Sequence, residues 1–295
     1  MTNRPRNGLV ALCLAVALLA AIAAAAGVFL RGADGFTPVV SVRGEHYAMA
    51  TTGVYAYNAR RLVAEGVGWD IVTLFFAVPA LLFALPGLRR KSLAARLFAV
   101  GILAYLFYQY LMYAVTWALG PLFLLFIAIY ALSLVAMGWI IATIPLAGLP
   151  ARFSDRFPGR GVAVLSFLLA ALLLLMWLAR IGGALRGRID GVLLGQTTLV
   201  VQALDLGLMV PLALLTGFTA WRGRPLGYLL SPAVAVHAFA MAAAICAMLL
   251  SAWSFEGRLE LPPLVVFAAV AAASVWLAVR MYRSMRPAPV PGGQT

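Results

Sequence analysis

The chain has 295 residues, of which 64% are hydrophobic and 11% charged, whereas soluble domains run at about 45–50% apolar and about 25% charged. That balance excludes a water-soluble globular protein, because so few charges cannot cover its surface. The net charge of +13 would suggest nucleic acid in a soluble chain; here the bases fall in loops beside apolar runs, so membrane lipids are the expected partners and nucleic acid is not.

Unbroken apolar runs of about twenty residues, in place of alternating ten-residue segments, predict an all-α polytopic bundle and not a barrel. Eight runs qualify: residues 8–30, 69–88, 95–119, 122–145, 161–181, 197–221, 226–253 and 262–281. They make one transmembrane domain over residues 1–286, and the Pro- and Gly-rich residues 287–295 are expected to be a disordered tail.

The first run follows Arg4 and Arg6 and is rich in alanine, a composition shared with secretory signals, and residues 23–26 resemble a cleavage site. Its length exceeds the core of about 7–15 residues typical of such signals, so a retained anchor is expected. Residues 31–68 form the one large extramembrane loop. Within it, Phe36 to Glu45 suggests an extended stretch, and residues 47–65 a helix lying over the bundle with Tyr55, Leu62 and Val63 near its apolar side.

Alternate loops carry 14 and 8 of the 22 basic residues. By the positive-inside rule both termini are cytoplasmic and the 31–68 loop is extracytoplasmic. Cys13 and Cys246 lie in apolar runs at different depths, so neither a disulfide, a zinc site nor redox chemistry is expected. No cofactor is implied, and no long internal repeat is legible.

Ionisable groups inside spans cost roughly 2.5–3.5 kcal/mol and therefore need a partner or a purpose. Asp205, in the sixth run, shares a helix face with Thr198, Gln202, Met209, Thr216 and Thr219. It reads either as a proton-, cation- or substrate-binding group or as an acceptor for neighbouring helices. His237 lies at mid-depth in the seventh run among small residues, as a packing residue or a ligand; no metal-binding spacing accompanies it. The third run carries Tyr105, Tyr108, Gln109, Tyr113, Thr116 and Trp117 at steps of three and four, with Tyr110 off the stripe. That stripe reads as core packing or as the wall of a pocket.

Depth groups these residues. Asp70, Tyr113, Gln202 and Asp205 share the outer half, under the loop bearing Arg43, Glu45 and Tyr55, which predicts an outward cavity capped by that loop and closed by an Arg43–Asp70 or Arg60–Asp70 pair.

Several strings occur together: Arg43-Gly44-Glu45, Gly53-Val54-Tyr55, Asp70-Ile71-Val72-Thr73 leading to Pro79, Tyr108-Gln109-Tyr110, Asp205-Leu206-Gly207 with Pro211, and Arg224-Pro225-Leu226-Gly227-Tyr228. Together they resemble a family of uncharacterised bacterial polytopic membrane proteins, from about Arg43 to Leu250. The resemblance implies an architecture of about eight helices and a bacterial inner-membrane setting, lends no reaction, and singles out Arg43, Glu45, Tyr55, Asp70 and Asp205.

Three functions stay open. The first is binding or transport of a small or amphipathic molecule through the outward cavity. A non-catalytic scaffold or sensor would use the 31–68 loop as its contact surface. An intramembrane enzyme on a lipid-like substrate would use Glu45, Asp70 or Asp205 as acid or base, although no nucleophile elbow, redox pair or phosphate loop accompanies them.

Overall fold

The computed structural model describes residues 4–32 and 35–286, so the disorder expected for 287–295 lies outside the described residues. Among the described residues are eight helices long and apolar enough to cross a membrane: α1 (Arg4–Phe29), α2 (Arg60–Arg89), α3 (Leu93–Thr116), α4 (Phe123–Ala142), α5 (Gly159–Leu185), α6 (Val200–Trp221), α7 (Pro225–Glu256) and α8 (Leu261–Arg283). The chain is a multi-pass membrane protein with an all-α fold and one small two-stranded sheet.

Local chemistry sets several of the helix ends. Ser92 caps α3, its hydroxyl accepting the Ala95 N–H at 3.4 Å. α7 starts on Pro225, whose missing N–H has no partner to lose there, and it stops at Gly257 in the left-handed region at φ 70°.

The loop after α1 departs from expectation. Residues 36–45 are extended in part, as expected, but residues 46–50 are a second strand and not a helix. Strands β1 (Phe36–Val40) and β2 (His46–Ala50) pair antiparallel, and the Ser41 hydroxyl closes their turn by accepting the N–H groups of Arg43 and Glu45 at 3.2 and 3.1 Å. Helix α2 then begins at Arg60, nine residues before the apolar run starting at Trp69. Hydropathy misses this stretch because it contains Arg61 and Glu65. In three dimensions Arg61 meets Glu65 at 2.7 Å, Glu256 at 2.8 Å and Glu260 at 2.9 Å, so both charged residues of this stretch are held in ion pairs and α2 runs through it unbroken.

These ion pairs also define a face. Asn58 accepts the Ala118 N–H at 2.8 Å and Glu45 accepts from Leu194 at 3.1 Å, gathering the hairpin, the α3–α4 turn, the α5–α6 loop and the α7–α8 turn on one side. On the opposite face the Ser154 N–H donates to Ser284, and the Arg286 N–H to Arg152, both at 2.8 Å.

Helices α3 and α7 run through the centre, which small residues permit. A Cβ on Gly101 would meet the Ala233 carbonyl at 2.5 Å and the Val236 side chain at 2.6 Å. A Cβ on Gly68 would run into the backbone of Ala247 and Met248. The central position of α3 explains why Tyr110, off the aromatic stripe, is buried as fully as the tyrosines on it.

The bundle is built twice. Helix α2 widens into a π-helical turn at Thr73–Ala77 and resumes as the twelve residues Val78–Arg89, with Pro79 in its first turn. Helix α6 widens at Asp205–Met209 and resumes as the twelve residues Val210–Trp221, with Pro211 at the same place. A proline cannot donate to the preceding turn, and the widened turn in front of it absorbs that loss.

In the first half α1 packs on residues 78–89 and α3 on α4; in the second, α5 packs on residues 210–221 and α7 on α8. Across the middle, the start of α2 packs on α7, the start of α6 packs on α3, and α3 packs on α7. No repeat is legible in the sequence because little beyond Val-Pro (78–79 and 210–211) coincides between the halves.

Candidate functional site

A cavity of about 460 Å³ opens on the hairpin face between α2, α3, α5, α6, α7 and α8, within the size range of small-molecule sites. Its rim carries Arg61, Glu65, Arg180 and Glu260, and its inner wall is mostly aromatic and aliphatic. A smaller chamber of about 100 Å³ continues below it, sharing Leu173, Asp205, Met241, Ile245 and Phe267, and is lined by apolar side chains apart from Asp205 and His237.

Asp205 sits where the two spaces meet. It opens the π-helical turn of α6, where the extra residue swings the helix register. Tyr108 of α3 donates its hydroxyl to one carboxylate oxygen, and the Trp177 indole N–H of α5 donates to the other at 2.7 Å. Among the described residues no basic side chain pairs with this carboxylate. Gln202, one turn earlier, also lines the cavity and is buried. His237 faces the lower chamber, with Nε2 3.3 Å from the Met209 sulfur and Nδ1 buried without a partner.

The cover of this cavity differs from the expected one. Residues 192–196, in the α5–α6 loop, form its lid, and the hairpin fastens that lid from above. Leu194 and Gly195 both adopt left-handed backbone, at φ 51° and 80°. Their successive N–H groups converge on the Glu45 carboxylate at 3.1 and 2.9 Å. Glycine is required at 195 because the Tyr47 ring lies where a Cβ would go. Gln196 donates to the Thr116 carbonyl at 3.0 Å, and Arg180 reaches the Gly191 and Val192 carbonyls at 3.3 and 3.2 Å. Glu45 therefore holds the lid and does not line the cavity, and Arg43 is exposed at the hairpin tip.

A second polar cluster lies in the first half and is closed. Asp70, fully buried, accepts the Tyr55 hydroxyl and, at 3.4 Å, that of Tyr113, which also reaches the Gly66 carbonyl at 3.0 Å. The expected Arg43–Asp70 and Arg60–Asp70 pairs do not form. Arg60 donates to the Phe255 carbonyl and stacks over the Phe36 ring instead. Burial, then the Asp70 charge, holds the Tyr55 hydroxyl well above the usual tyrosine range, so it stays a donor. Asn58 shapes the turn, donating to the carbonyls of Tyr55 and Ala56 at 3.1 and 3.2 Å. Below Asp70, the Thr73 hydroxyl meets the Tyr105 hydroxyl at 3.0 Å and the Gln109 side-chain carbonyl at 2.7 Å.

The aromatic stripe of α3 thus divides. Tyr108, Tyr113, Thr116 and Trp117 line the open cavity, whereas Tyr105 and Gln109 belong to the closed cluster. Sequence reasoning did not anticipate Trp177, Arg180, Arg61 or the 192–196 lid. Trp177 and Arg180 are three apart on the hairpin-face end of α5, a spacing that marks one helix face.

The eight long apolar helices agree with the polytopic architecture that the sequence resemblance implies. No family model, curated protein or solved structure matches the chain.

Proposed function

We propose that this protein binds an amphipathic molecule in the cavity on the hairpin face and passes it through the membrane. The observation that carries the reading is the pair of adjoining chambers that share Asp205, the upper one an aromatic space with a charged rim and the lower one almost wholly apolar. Transport, as against static binding, is favoured by the doubled architecture, since secondary transporters are often built from repeats with helices interrupted near the binding site. The bias of basic residues among the loops supports a topology with the hairpin face outside and both termini in the cytoplasm; the bacterial inner membrane is what the sequence resemblance implies.

The test is native mass spectrometry of the protein extracted in mild detergent, followed by uptake into proteoliposomes of whatever molecule co-purifies. Wild type is expected to carry a bound amphiphile that is lost when Leu173→Trp fills the junction between the chambers. Equal recovery from both proteins would reject the cavity as the binding site.

A further inference from the structure

The walls of the two chambers say which amphiphile belongs there, an inference that rests on the proposed binding function. The upper cavity is lined by Trp69, Trp117, Trp177, Tyr108 and Tyr113, and Asp205 lies beneath them. Of the charged side chains around it, Arg61 is committed to Glu65, Glu256 and Glu260. Arg180 is engaged with the lid carbonyls. Asp205 is left with neutral donors only, Tyr108 and Trp177. Both guanidinium groups that line the space are thus already engaged, and Asp205 is the carboxylate there without a cationic partner among the described residues. A carboxylate at membrane depth carries its charge only with a cation nearby, and the faces of tryptophan and tyrosine attract cations while tolerating apolar chains.

The lower chamber suits the tail of such a molecule. Helices α5 and α8 touch near the termini face, where Val162 packs with Leu277 and Met281. Toward the hairpin face they separate, and Leu169 and Leu172 of α5 face Phe267 and Val270 of α8 across the chamber. The apolar lining of this slit suits a hydrocarbon chain. We infer that the occupant is a cationic amphiphile, an alkyl amine or quaternary ammonium, with its head between Asp205 and the aromatic wall and its chain in the slit between α5 and α8.

The experiment uses full-length protein in lipid nanodiscs and three probes with the same twelve-carbon, diazirine-bearing chain and different heads: trimethylammonium, phosphate and glucoside. After illumination, adducts on α5, α7 and α8 peptides are counted by mass spectrometry, with empty nanodiscs and excess unlabelled probe as controls. The trimethylammonium probe is expected to label the chamber saturably, about tenfold better than the phosphate probe, a ratio equivalent to about 1.4 kcal/mol. Asp205→Asn should abolish that preference and Asp205→Glu should keep it. Equal labelling by all heads, or preference for phosphate, overturns the cationic assignment and leaves an amphiphile site standing. No saturable labelling by any probe removes both readings. Should Asp205→Asn fail to fold, the ranking of heads on wild type decides the matter alone.

Discussion

The Tyr55 hydroxyl and the Asp70 carboxylate meet in the interior, fifteen residues apart in sequence, where a turn after the hairpin comes to rest against the buried part of α2. Removing the donor leaves Asp70 with Tyr113 alone, at 3.4 Å. Tyr55→Phe is therefore expected to destabilise the protein by about 1–3 kcal/mol, the usual penalty for a buried acceptor that loses its partner. Unfolding in detergent, followed by circular dichroism, measures it; an unchanged midpoint would show the bond contributes nothing.

Helix α1 can lie over this pair because residue 27 has no side chain. A Cβ there would collide with both the Asp70 carboxylate and the Tyr55 hydroxyl. Gly27→Val is expected to destabilise by at least about 1–3 kcal/mol, in the manner of overpacked cores. At position 138, where a Cβ would meet nothing within 4 Å, Gly138→Val should be close to neutral by the same unfolding assay.

Glu45 acts at a distance from the cavity by tying down its lid. Glu45→Gln keeps the size and removes the charge that the Leu194 and Gly195 N–H groups converge on. A charge-assisted bond is worth about 1.5–3 kcal/mol, so amide exchange across residues 191–196 should rise by roughly tenfold or more. Exchange within α3 should not change. Uniform acceleration throughout the bundle would mean that the hairpin supports the whole fold and not the lid.

Arg61 joins the start of α2 to the α7–α8 turn. Arg61→Met strands three carboxylates on one another, and Arg61→Lys offers a single ammonium where a planar fork now reaches three partners. Each bridge is partly exposed, so the loss should be modest, about 1–2 kcal/mol in total for Met and only partly recovered by Lys. Recovery to the wild-type unfolding midpoint with Lys would show that fork geometry is irrelevant.

Orientation is testable with the two native cysteines replaced. Val42→Cys on the hairpin, 87% exposed, should react with a membrane-impermeant maleimide added to intact cells. Asp155→Cys on the termini face should react only after permeabilisation. The reverse pattern would invert the topology derived from the loop arginines.

Much of the architecture was legible because spanning helices announce themselves by length and hydropathy, and all eight were found that way. The start of α2 was not, since Arg61 and Glu65 look solvated until Glu256 and Glu260 are brought beside them by a contact some 195 residues away. Trp177 was hidden from Asp205 because the two lie on different helices, 28 residues apart, and only packing brings them together. Asp70 was expected at the outer edge of its span and instead lies one helical stretch inside, because its helix begins at Arg60. Within α3, step-of-three spacing gathered the polar side chains correctly onto the core. It did not separate Tyr108, which faces the open cavity, from Tyr105, which faces Thr73, because neighbouring helices decide that division. The duplication was legible only in Pro79 and Pro211, which mark where the second and sixth spans could be interrupted; the widened turns before them are backbone geometry that side-chain patterns do not record.

That duplication has an asymmetric outcome. In one half the acid and its two tyrosines are closed off from any cavity; in the other, Asp205 with its donors Tyr108 and Trp177 forms part of a cavity wall. The same pairing of carboxylate and tyrosine hydroxyl thus serves as a sealed joint in the first half and as part of an accessible wall in the second.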